Sequence, residues 1–360
     1  MARMKLVHIV EAFGGGIFTY LIELCNSLSD EYEIVILYSK RVETPYDFKK
    51  YFSDNIKFIE IANMKRSISP NDLLAIKEVQ EIINIEKPDI VHLHSSKAGV
   101  IGRVIRYKNN PKIFYTPHGY SFLKKDDNYM KRCIYKYIEN IMAKYKKTCI
   151  TICCSKGEYN ISKKVTSNST YISNGIDLND IKVLPKTKDN SKLKICTLGR
   201  ISAQKNPLLF NQIAKKFLDF EFTWIGDGED KELLTSPNIN ITGWKDRRSA
   251  LEILNENDIF ILTSLWEGLP LALLEAMGMG KICLVTNVIG NNDVITHNKN
   301  GFICSNSYEF ENILNNIINN NLNLDYIRIN AKNDINKIYN LKVMCDSYKD
   351  ILENDITRKK

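Results

Sequence analysis

The sequence of 360 residues, 44% hydrophobic and 26% charged, is long enough for two globular domains. It has no apolar run of the roughly 18 residues that a membrane span needs and no signal-peptide core. Its nine cysteines lack paired spacing, so we expect a cytoplasmic protein with reduced thiols. The net charge of +8 is uneven, because residues 97–164 hold 16 Lys or Arg against four acidic residues. That segment is either a solvated basic face or a surface for a polyanionic partner.

Short β-branched runs alternate with helical patterns along almost the whole chain. Helical patterns such as 73–86 and 207–217 separate the runs, and this alternation predicts an α/β fold of parallel sheets covered by helices. In chain order, the predicted strands are 5–10, 33–38, 90–93, 113–115 and 149–153, then 193–198, 222–225, 238–241, 259–262 and 282–285.

A polar stretch at residues 185–193 separates the two series of strands and is typical of a linker. It divides the chain into two Rossmann-like, doubly wound domains, 1–184 and 194–335. A helical tail follows at 336–360 and can cross back to the first domain.

Two glutamates, Glu267 and Glu275, flank the predicted start of a helix after strand 259–262. The backbone N–H groups of Leu269 and Leu271 would face an anion at this helix N-terminus. A diphosphate there would place a sugar near Glu267 and a ribose near Glu275, since carboxylates accept paired hydrogen bonds from vicinal hydroxyls. For an arbitrary pair at this spacing, surface charge or helix capping is the simpler interpretation.

Two cations, Arg200 and Lys205, follow the first strand of the second domain, at the carboxyl end where doubly wound sheets bind ligands. They could neutralise a diphosphate and stabilise the charge on a departing nucleotide. Taken alone, such cations usually face solvent.

The first domain offers three groups at strand ends. The glycines at 14–16 would let backbone amides approach a phosphate or sugar closely. His118 stands beside Gly119 after strand 113–115, where a lone histidine is more often structural than functional. The exit of the preceding strand holds His94, Ser96 and Lys97.

Metal ligation is not expected. The sequence contains no Asp-x-Asp pair for a nucleotide-bound divalent ion, and Cys149, Cys153 and Cys154 lack the pairing and the neighbouring His of a zinc site. Cationic side chains and helix dipoles would take the place of a metal.

Residues 128–148 have apolar or aromatic side chains at helical spacing, with Lys and Arg around them. Such a basic amphipathic helix either packs its stripe on the core or lies on an anionic bilayer. We favour core packing for the stripe itself, with the lysines left to face a membrane.

Together these motifs resemble those of retaining glycosyltransferases of the GT-B fold, in glycosyltransferase family 4. The matching pieces cover about residues 5–303 and read GGG, HLHSSKAG, TPHG, CCSKGE, SNGID, LGRISAQKN, IGDGED, ITGWKD and EGLPLALLEAMGMGK. Two departures are Lys205-Asn206, where Lys-Gly is usual, and Gly290-Asn291-Asn292-Asp293 in place of Gly-Gly-Asn-x-Glu.

The resemblance implies an acceptor-binding first domain and a nucleotide-sugar-binding second domain that face each other across a cleft. Arg200 and Lys205 would bind the donor diphosphate. Glu275 would bind the ribose, Glu267 the donor sugar, and His118 would hydrogen-bond that sugar. Further candidate contacts are Gly15, Gly16, Gly226, Trp244, Lys245, Gly268, Leu269 and Leu271 for the donor, and Gly14, His94, Ser96 and Lys97 for the acceptor.

The implied reaction is transfer of a hexose-type sugar from a UDP- or GDP-linked donor, with retention by front-face displacement and without metal or cofactor. The implied acceptor is a polyprenyl-diphosphate-linked or other glycan in capsule, exopolysaccharide or O-antigen synthesis, at the inner face of the plasma membrane. The sequence leaves open a nucleotide-sugar epimerase or sugar phosphorylase on the same fold and a non-catalytic nucleotide-sugar-binding protein. Nucleic-acid binding is not expected, because no recognition motif accompanies the basic segment.

Overall fold

A computed structural model of the protein describes residues 3–65, 69–181 and 193–353. The chain divides into two compact units. In the described ranges, unit 1 holds residues 3–65, 69–123, 127–174 and 344–353, and unit 2 holds 124–126, 175–181 and 193–343.

Unit 1 is built on a seven-stranded parallel sheet. Its strands are β1 (Met4–Phe13), β2 (Tyr32–Lys40), β3 (Lys57–Glu60), β4 (Ile90–His94), β5 (Lys112–Thr116), β6 (Ile150–Cys153) and β7 (Ser169–Tyr171), in the order β3-β2-β1-β4-β5-β6-β7. Every residue of β4 is buried, as expected for a strand covered on both faces. The strand order reverses between β1 and β4, and ligands of doubly wound sheets bind outside the carboxyl ends of strands at such a point.

The helices that cover this sheet are α1 (Gly15–Leu28), α2 (Asn71–Glu86), α3 (Ser95–Val104), α4 (Tyr129–Tyr145) and α5 (Lys156–Ser162). One side of the core joins strand residues such as Val7, Val91 and Leu93 to helix residues such as Val79 and Ile101. The predicted alternation of strands and helices is therefore confirmed in this unit.

Unit 2 is built on a six-stranded parallel sheet. Its strands are β8 (Lys194–Leu198), β9 (Glu221–Ile225), β10 (Ile239–Ile241), β11 (Ile259–Leu262), β12 (Ile282–Thr286) and β13 (Phe302–Cys304), in the order β10-β9-β8-β11-β12-β13. The strand order reverses between β8 and β11, so the loops that follow these two strands lie side by side.

The helices of unit 2 are α6 (Pro207–Lys216), α7 (Arg247–Glu256), α8 (Leu271–Gly278), α9 (Asn291–Val294), α10 (Ser307–Ile318) and α11 (Leu324–Lys337). Asn206 begins α6: its side chain accepts a hydrogen bond from the Leu209 N–H, and Pro207 occupies the first turn. The Asn-rich segment after residue 287 forms α9, β13, α10 and α11.

The last helix, α12 (Leu341–Glu353), places residues from Met344 onward in unit 1. There the Tyr348 hydroxyl hydrogen-bonds the hydroxyl of Tyr20 on α1. In the described residues, unit 2 begins at Gly175 and ends at Val343, so residues 175–181 and the start of the tail differ from the predicted division. The predicted linker 185–193 lies outside the described residues except for its last position.

Candidate active site

The loops after β8 and β11 bring two predicted site residues into direct contact. Lys205 Nζ lies 2.6 Å from Glu267 Oε1, and Glu267 is buried while Lys205 is half-buried. The sequence separates them widely, but β8 and β11 are neighbours in the sheet. A cation and a carboxylate therefore stand together at the edge where the strand order reverses.

Neighbouring polar groups hold this pair in place. Ser264 Oγ donates to Glu267 Oε1 over 2.6 Å, and Gln204 Nε2 donates to the Trp266 carbonyl over 3.1 Å. From the Glu267 loop, Thr263 Oγ1 donates across to the Lys205 carbonyl over 2.6 Å. The two loops are thus tied by both side chains and backbone, which limits the positions that the Lys205 and Glu267 side chains can take.

The segment that departs from the family pattern, Gly290-Asn291-Asn292-Asp293, supports the Glu267 loop. Gly290 has a φ of +85°, and a Cβ there would lie 2.5 Å from the Gly268 carbonyl oxygen. Asn291 Nδ2 donates to the Thr286 carbonyl over 3.0 Å, and Thr286 Oγ1 donates to the Ser264 carbonyl. Although this segment departs from the family pattern, its packing and hydrogen bonds still support the loop that carries Glu267.

Glu275, on α8, is paired with an arginine that the sequence analysis did not select. Arg247 Nη1 lies 2.8 Å from Glu275 Oε1, and Arg247 Nε lies 3.3 Å from Asp180 Oδ2. Burial raises the pKa of Glu275, while the positive charge of Arg247 lowers it. Arg247 is the first residue of α7, and no spacing rule links it to Glu275, so only the folded structure identifies it.

The remaining residues predicted to contact a donor are distributed around this edge. Leu269 and Leu271 have buried side chains at the start of α8, whose N-terminus has no side-chain cap. Arg200 is half-buried directly after β8. Trp244 is 49% exposed, and Lys245 is exposed as well.

Gly226 has a structural requirement of its own. Its φ is +141°, and a Cβ would lie 2.3 Å from the Gly199 carbonyl oxygen. Its N–H donates to Thr242 Oγ1 over 3.2 Å. Close packing of the loops after β8 and β9 therefore accounts for the glycine at position 226, and no ligand contact is needed to explain it.

In unit 1, His118 belongs to a hydrogen-bonded group of histidines. His94 Nδ1 lies 3.0 Å from His118 Nε2, and His94 Nε2 lies 2.9 Å from His8 Nδ1. A fourth, His92, is hydrogen-bonded to Thr116 Oγ1 at 2.8 Å. Burial lowers the pKa of His8 and that of His118 to about 3 and the pKa of His92 and His94 well below the usual value, so these rings are neutral at physiological pH.

Ring nitrogens of His8, His92 and His94 lie within 4.8 Å of one another, a spacing that invites comparison with a metal site. The facing nitrogens of His8 and His94 are, however, 2.9 Å apart. That is a hydrogen-bond distance, shorter than the separation of two nitrogens each about 2.0–2.1 Å from a tetrahedral metal ion. His8 and His94 therefore hydrogen-bond each other in the structure, and His92 bonds Thr116 instead.

The loop that carries His118 is fixed by a buried glutamate. His118 itself has a φ of +53°, which is unusual for a residue with a side chain. Glu158 accepts the Gly119 N–H over 2.7 Å and the Cys154 N–H over 2.9 Å. The CCSKGE motif thus supports the TPHG motif.

The glycine loop after β1 is open. Gly14 precedes α1, and Gly15 has a φ of +54°. A Cβ added at Gly15 or Gly16 would meet no atom within 4 Å. The positive φ of Gly15 favours glycine by itself, whereas neither packing nor a positive φ demands glycine at Gly16. The open space at both positions would let a ligand approach the backbone closely.

Two of the predicted acceptor contacts are engaged within unit 1. Lys97 Nζ forms an ion pair with Asp72 at 2.7 Å, and Ser96 Oγ accepts a hydrogen bond from Ser121 Oγ at 3.0 Å. His94 belongs to the buried histidine group. The structure thus gives each of these residues a local structural partner.

The expectation that the α4 stripe packs on the core is wrong. Most of its large apolar side chains are exposed, Ile138 and Met142 are half-buried, and the buried residue of this helix is Glu139. Glu139 binds Arg103 Nη2 at 2.8 Å and the Tyr115 hydroxyl at 2.7 Å, so an internal ion pair turns the stripe outward. The exposed residues are Tyr129, Met130, Ile134, Tyr137, Ile141 and Tyr145. Within the described ranges, no helix has the length and apolarity to cross a bilayer.

Comparison with known families covers nearly the whole chain. The family described as "Glycosyltransferase Family 4" matches residues 14–180, and the family described as "Glycosyl transferases group 1" matches residues 181–334. The chain belongs to the group 1, family 4 glycosyltransferases. The expected family is therefore confirmed.

Curated relatives of this glycosyltransferase include two from Escherichia coli. UDP-Gal:alpha-D-GlcNAc-diphosphoundecaprenol alpha-1,3-galactosyltransferase is 30% identical over 349 residues, which are 86% of this chain and 87% of the relative. The O-antigen biosynthesis glycosyltransferase WbnH is 25% identical and matches 79% of this chain and 81% of its own. These relatives do not favour the epimerase, phosphorylase or non-catalytic alternatives.

Among solved structures, Anabaena Alr3699/HepE in complex with UDP and glucose matches the glycosyltransferase with a TM-score of 0.79 at 17% identity. The match covers 98% of this chain and 100% of the other. Together with the two parallel-sheet units, it confirms the expected GT-B fold class.

Proposed function

We propose that this glycosyltransferase moves a hexose-type sugar from a UDP- or GDP-linked donor to a polyprenyl-diphosphate-linked glycan in surface-polysaccharide synthesis. The Lys205–Glu267 contact of 2.6 Å carries the proposal. A diphosphate needs a cation and sugar hydroxyls need a carboxylate, and a contact this short lets one donor molecule reach both. The named relatives support this choice of donor and acceptor, because the name of one relative specifies a UDP-sugar donor and a diphosphoundecaprenol-linked acceptor.

In the proposed reaction, the acceptor hydroxyl forms a bond to the anomeric carbon while the bond from that carbon to the phosphate oxygen breaks. Lys205 and Arg200 stabilise the charge that develops on the departing diphosphate, and His118 hydrogen-bonds the donor sugar. The departing phosphate oxygen takes the acceptor proton on the same face of the sugar, so the anomeric configuration is retained. Cationic side chains serve in place of a divalent ion.

The proposal extends to the membrane that would hold such an acceptor. The exposed stripe of α4 lies among Lys131, Lys136 and Lys144, which are also exposed. An apolar stripe flanked by cations suits an anionic bilayer, since the apolar side chains enter the headgroup region and the cations meet lipid phosphates. We therefore propose peripheral attachment through α4.

A direct test supplies the purified enzyme with UDP-galactose, UDP-glucose or GDP-mannose and GlcNAc-diphosphoundecaprenol. The expected result is a longer lipid-linked glycan with the anomeric configuration of the donor by NMR, formed at the same rate with EDTA present. Release of free sugar only, in every donor and acceptor combination, would contradict transfer. Inversion at the anomeric carbon would overturn the front-face mechanism, and loss of activity in EDTA would overturn metal independence.

A further inference from the structure

Three histidines of unit 1 form a continuous hydrogen-bonded chain that ends at the predicted site residue His118. His8 on β1 bonds to His94 at the end of β4, and His94 bonds to His118 after β5, over 2.9 and 3.0 Å. The three elements are adjacent in the sheet. His8 and His94 are fully buried, whereas His118 is half-buried and forms the accessible end of the chain.

The protons of these three rings are coupled. A neutral imidazole has one N–H and one bare nitrogen, and burial keeps these rings neutral. Each N···N contact needs one proton, so both hydrogen bonds must point in the same direction along the chain. Either every ring is protonated on Nδ1, or every ring is protonated on Nε2.

The far end of the chain distinguishes the two states. His8 Nε2 is buried and has no hydrogen-bond partner in the part of the chain that the structure describes. A proton there would create a buried N–H without an acceptor, and an unsatisfied buried donor costs the full desolvation free energy of that group. A bare Nε2 on His8 costs less free energy than a protonated one. His8 therefore donates from its Nδ1 to His94, and His94 donates from its Nδ1 to His118.

We propose that His8 and His94 are positioning residues that hold His118 as its Nδ1–H tautomer, so that this ring offers a substrate a hydrogen-bond donor. The inference rests on the proposed function, in which His118 contacts the donor sugar. With its Nε2 accepting from His94, His118 directs the Nδ1–H at a sugar hydroxyl oxygen or a phosphoryl oxygen. His118 Nδ1 has no partner among the residues that the structure describes, which leaves it available.

The surroundings hold the His118 ring in this orientation. The Tyr20 ring packs edge-on against it with centroids 4.8 Å apart, and the Tyr20 hydroxyl is bonded to Tyr348 on α12. Glu158 fixes the following residue, Gly119. The tail helix thus contributes to the support of His118, although it is distant in sequence.

The tautomer is measurable without any transfer reaction. Full-length protein labelled with ¹⁵N-histidine, kept in chelator near pH 7.5, gives long-range ¹H–¹⁵N correlations for its five histidines, and single variants assign them. We expect His118 and His94 to show a protonated Nδ1 and a bare Nε2. A protonated Nε2 on His118, or a mixture of the two tautomers, would overturn the proposal.

Substitution at two equally buried histidines distinguishes positioning from packing. His94→Leu removes the donor to His118 Nε2, so we expect mixed His118 tautomers and a kcat at least about tenfold lower, with a smaller change in the donor KM. His94→Gln can still donate to His118 Nε2 and should restore most of the loss. His92→Leu removes a neighbouring buried ring that is bonded to Thr116 instead, and it should keep the His118 tautomer.

Equal losses in the His94→Leu and His92→Leu variants, or an unchanged His118 tautomer in His94→Leu, would contradict the proposal. If no donor and acceptor pair supports transfer, the proposed function fails while the tautomer measurement still gives its answer. If a variant does not fold, the wild-type correlations remain decisive.

Discussion

The Lys205 ammonium and the Glu267 carboxylate form an ion pair of 2.6 Å across the carboxyl ends of β8 and β11. Both side chains are shielded from solvent, and Ser264 and Gln204 supply further hydrogen bonds to the carboxylate. Replacement of Lys205 should therefore reduce interaction with the donor substrate more than it reduces the stability of the fold, because the Glu267 carboxylate keeps two other hydrogen-bond donors.

Lys205→Ala should lower kcat by about 10²- to 10³-fold, the usual loss when one group that stabilises developing negative charge is removed. Steady-state kinetics with the best donor measure this, and thermal unfolding should show only a small shift. Lys215→Ala, which removes an exposed lysine from α6, is the control for loss of charge and should retain full activity. Full activity in Lys205→Ala would refute the assignment.

The Arg247–Glu275 pair makes a prediction about stability. Arg247→Ala leaves the buried Glu275 carboxylate without its cation, so we expect the free energy of unfolding to fall by about 1–3 kcal/mol and donor binding to weaken. The next residue offers a matched control, since Arg248 pairs with Glu252 on the surface. Arg248→Ala should change stability by no more than about 0.5 kcal/mol. Chemical denaturation compares them, and equal effects would contradict the role given to Arg247.

Patterns along the sequence identified most of the fold, because buried strands of a parallel sheet are continuous apolar runs. The strands that were not predicted, β3, β7 and β13, have three or four residues and lie at sheet edges. An edge strand has one neighbour, so it needs neither the length nor the apolar run by which a central strand is recognised.

The candidate site was predictable only in part. Glu267 and Lys205 stand in recognisable motifs at strand ends, but Arg247 reaches Glu275 through tertiary packing alone. Helical periodicity gave the stripe of α4 but not its direction, which the buried Glu139–Arg103 ion pair sets. Likewise, no local pattern links Tyr348 to Tyr20.

The exposed stripe of α4 predicts binding to anionic vesicles. Ile134→Glu places a charge in the stripe, at a residue that is 53% exposed, and should reduce flotation with phosphatidylglycerol vesicles at low salt because the side chain would have to enter the headgroup region charged. Ile329→Glu is the control, since Ile329 is 60% exposed on α11. Equal flotation of both variants, or no flotation of the wild-type protein, would count against attachment through α4.

The buried histidines predict how the stability of unit 1 depends on pH. The folded protein holds the pKa of His8 near 3, below the ordinary value of 6.5, and burial lowers the pKa of His92 and His94 in the same direction. Between these values the unfolded chain binds protons that the folded chain does not, so stability is fully present above pH 6.5 and is lost as the pH falls toward 3. Each such histidine contributes a slope of about 1.4 kcal/mol per pH unit.

Chemical denaturation at several pH values between 7.5 and 5 measures that slope. His92→Leu removes one of the buried rings and should make the dependence shallower by about one proton, that is, by roughly 1.4 kcal/mol per pH unit. Parallel curves for His92→Leu and the wild-type protein would show that His92 is protonated equally in the folded and unfolded chains, against the effect that burial should have on its ring.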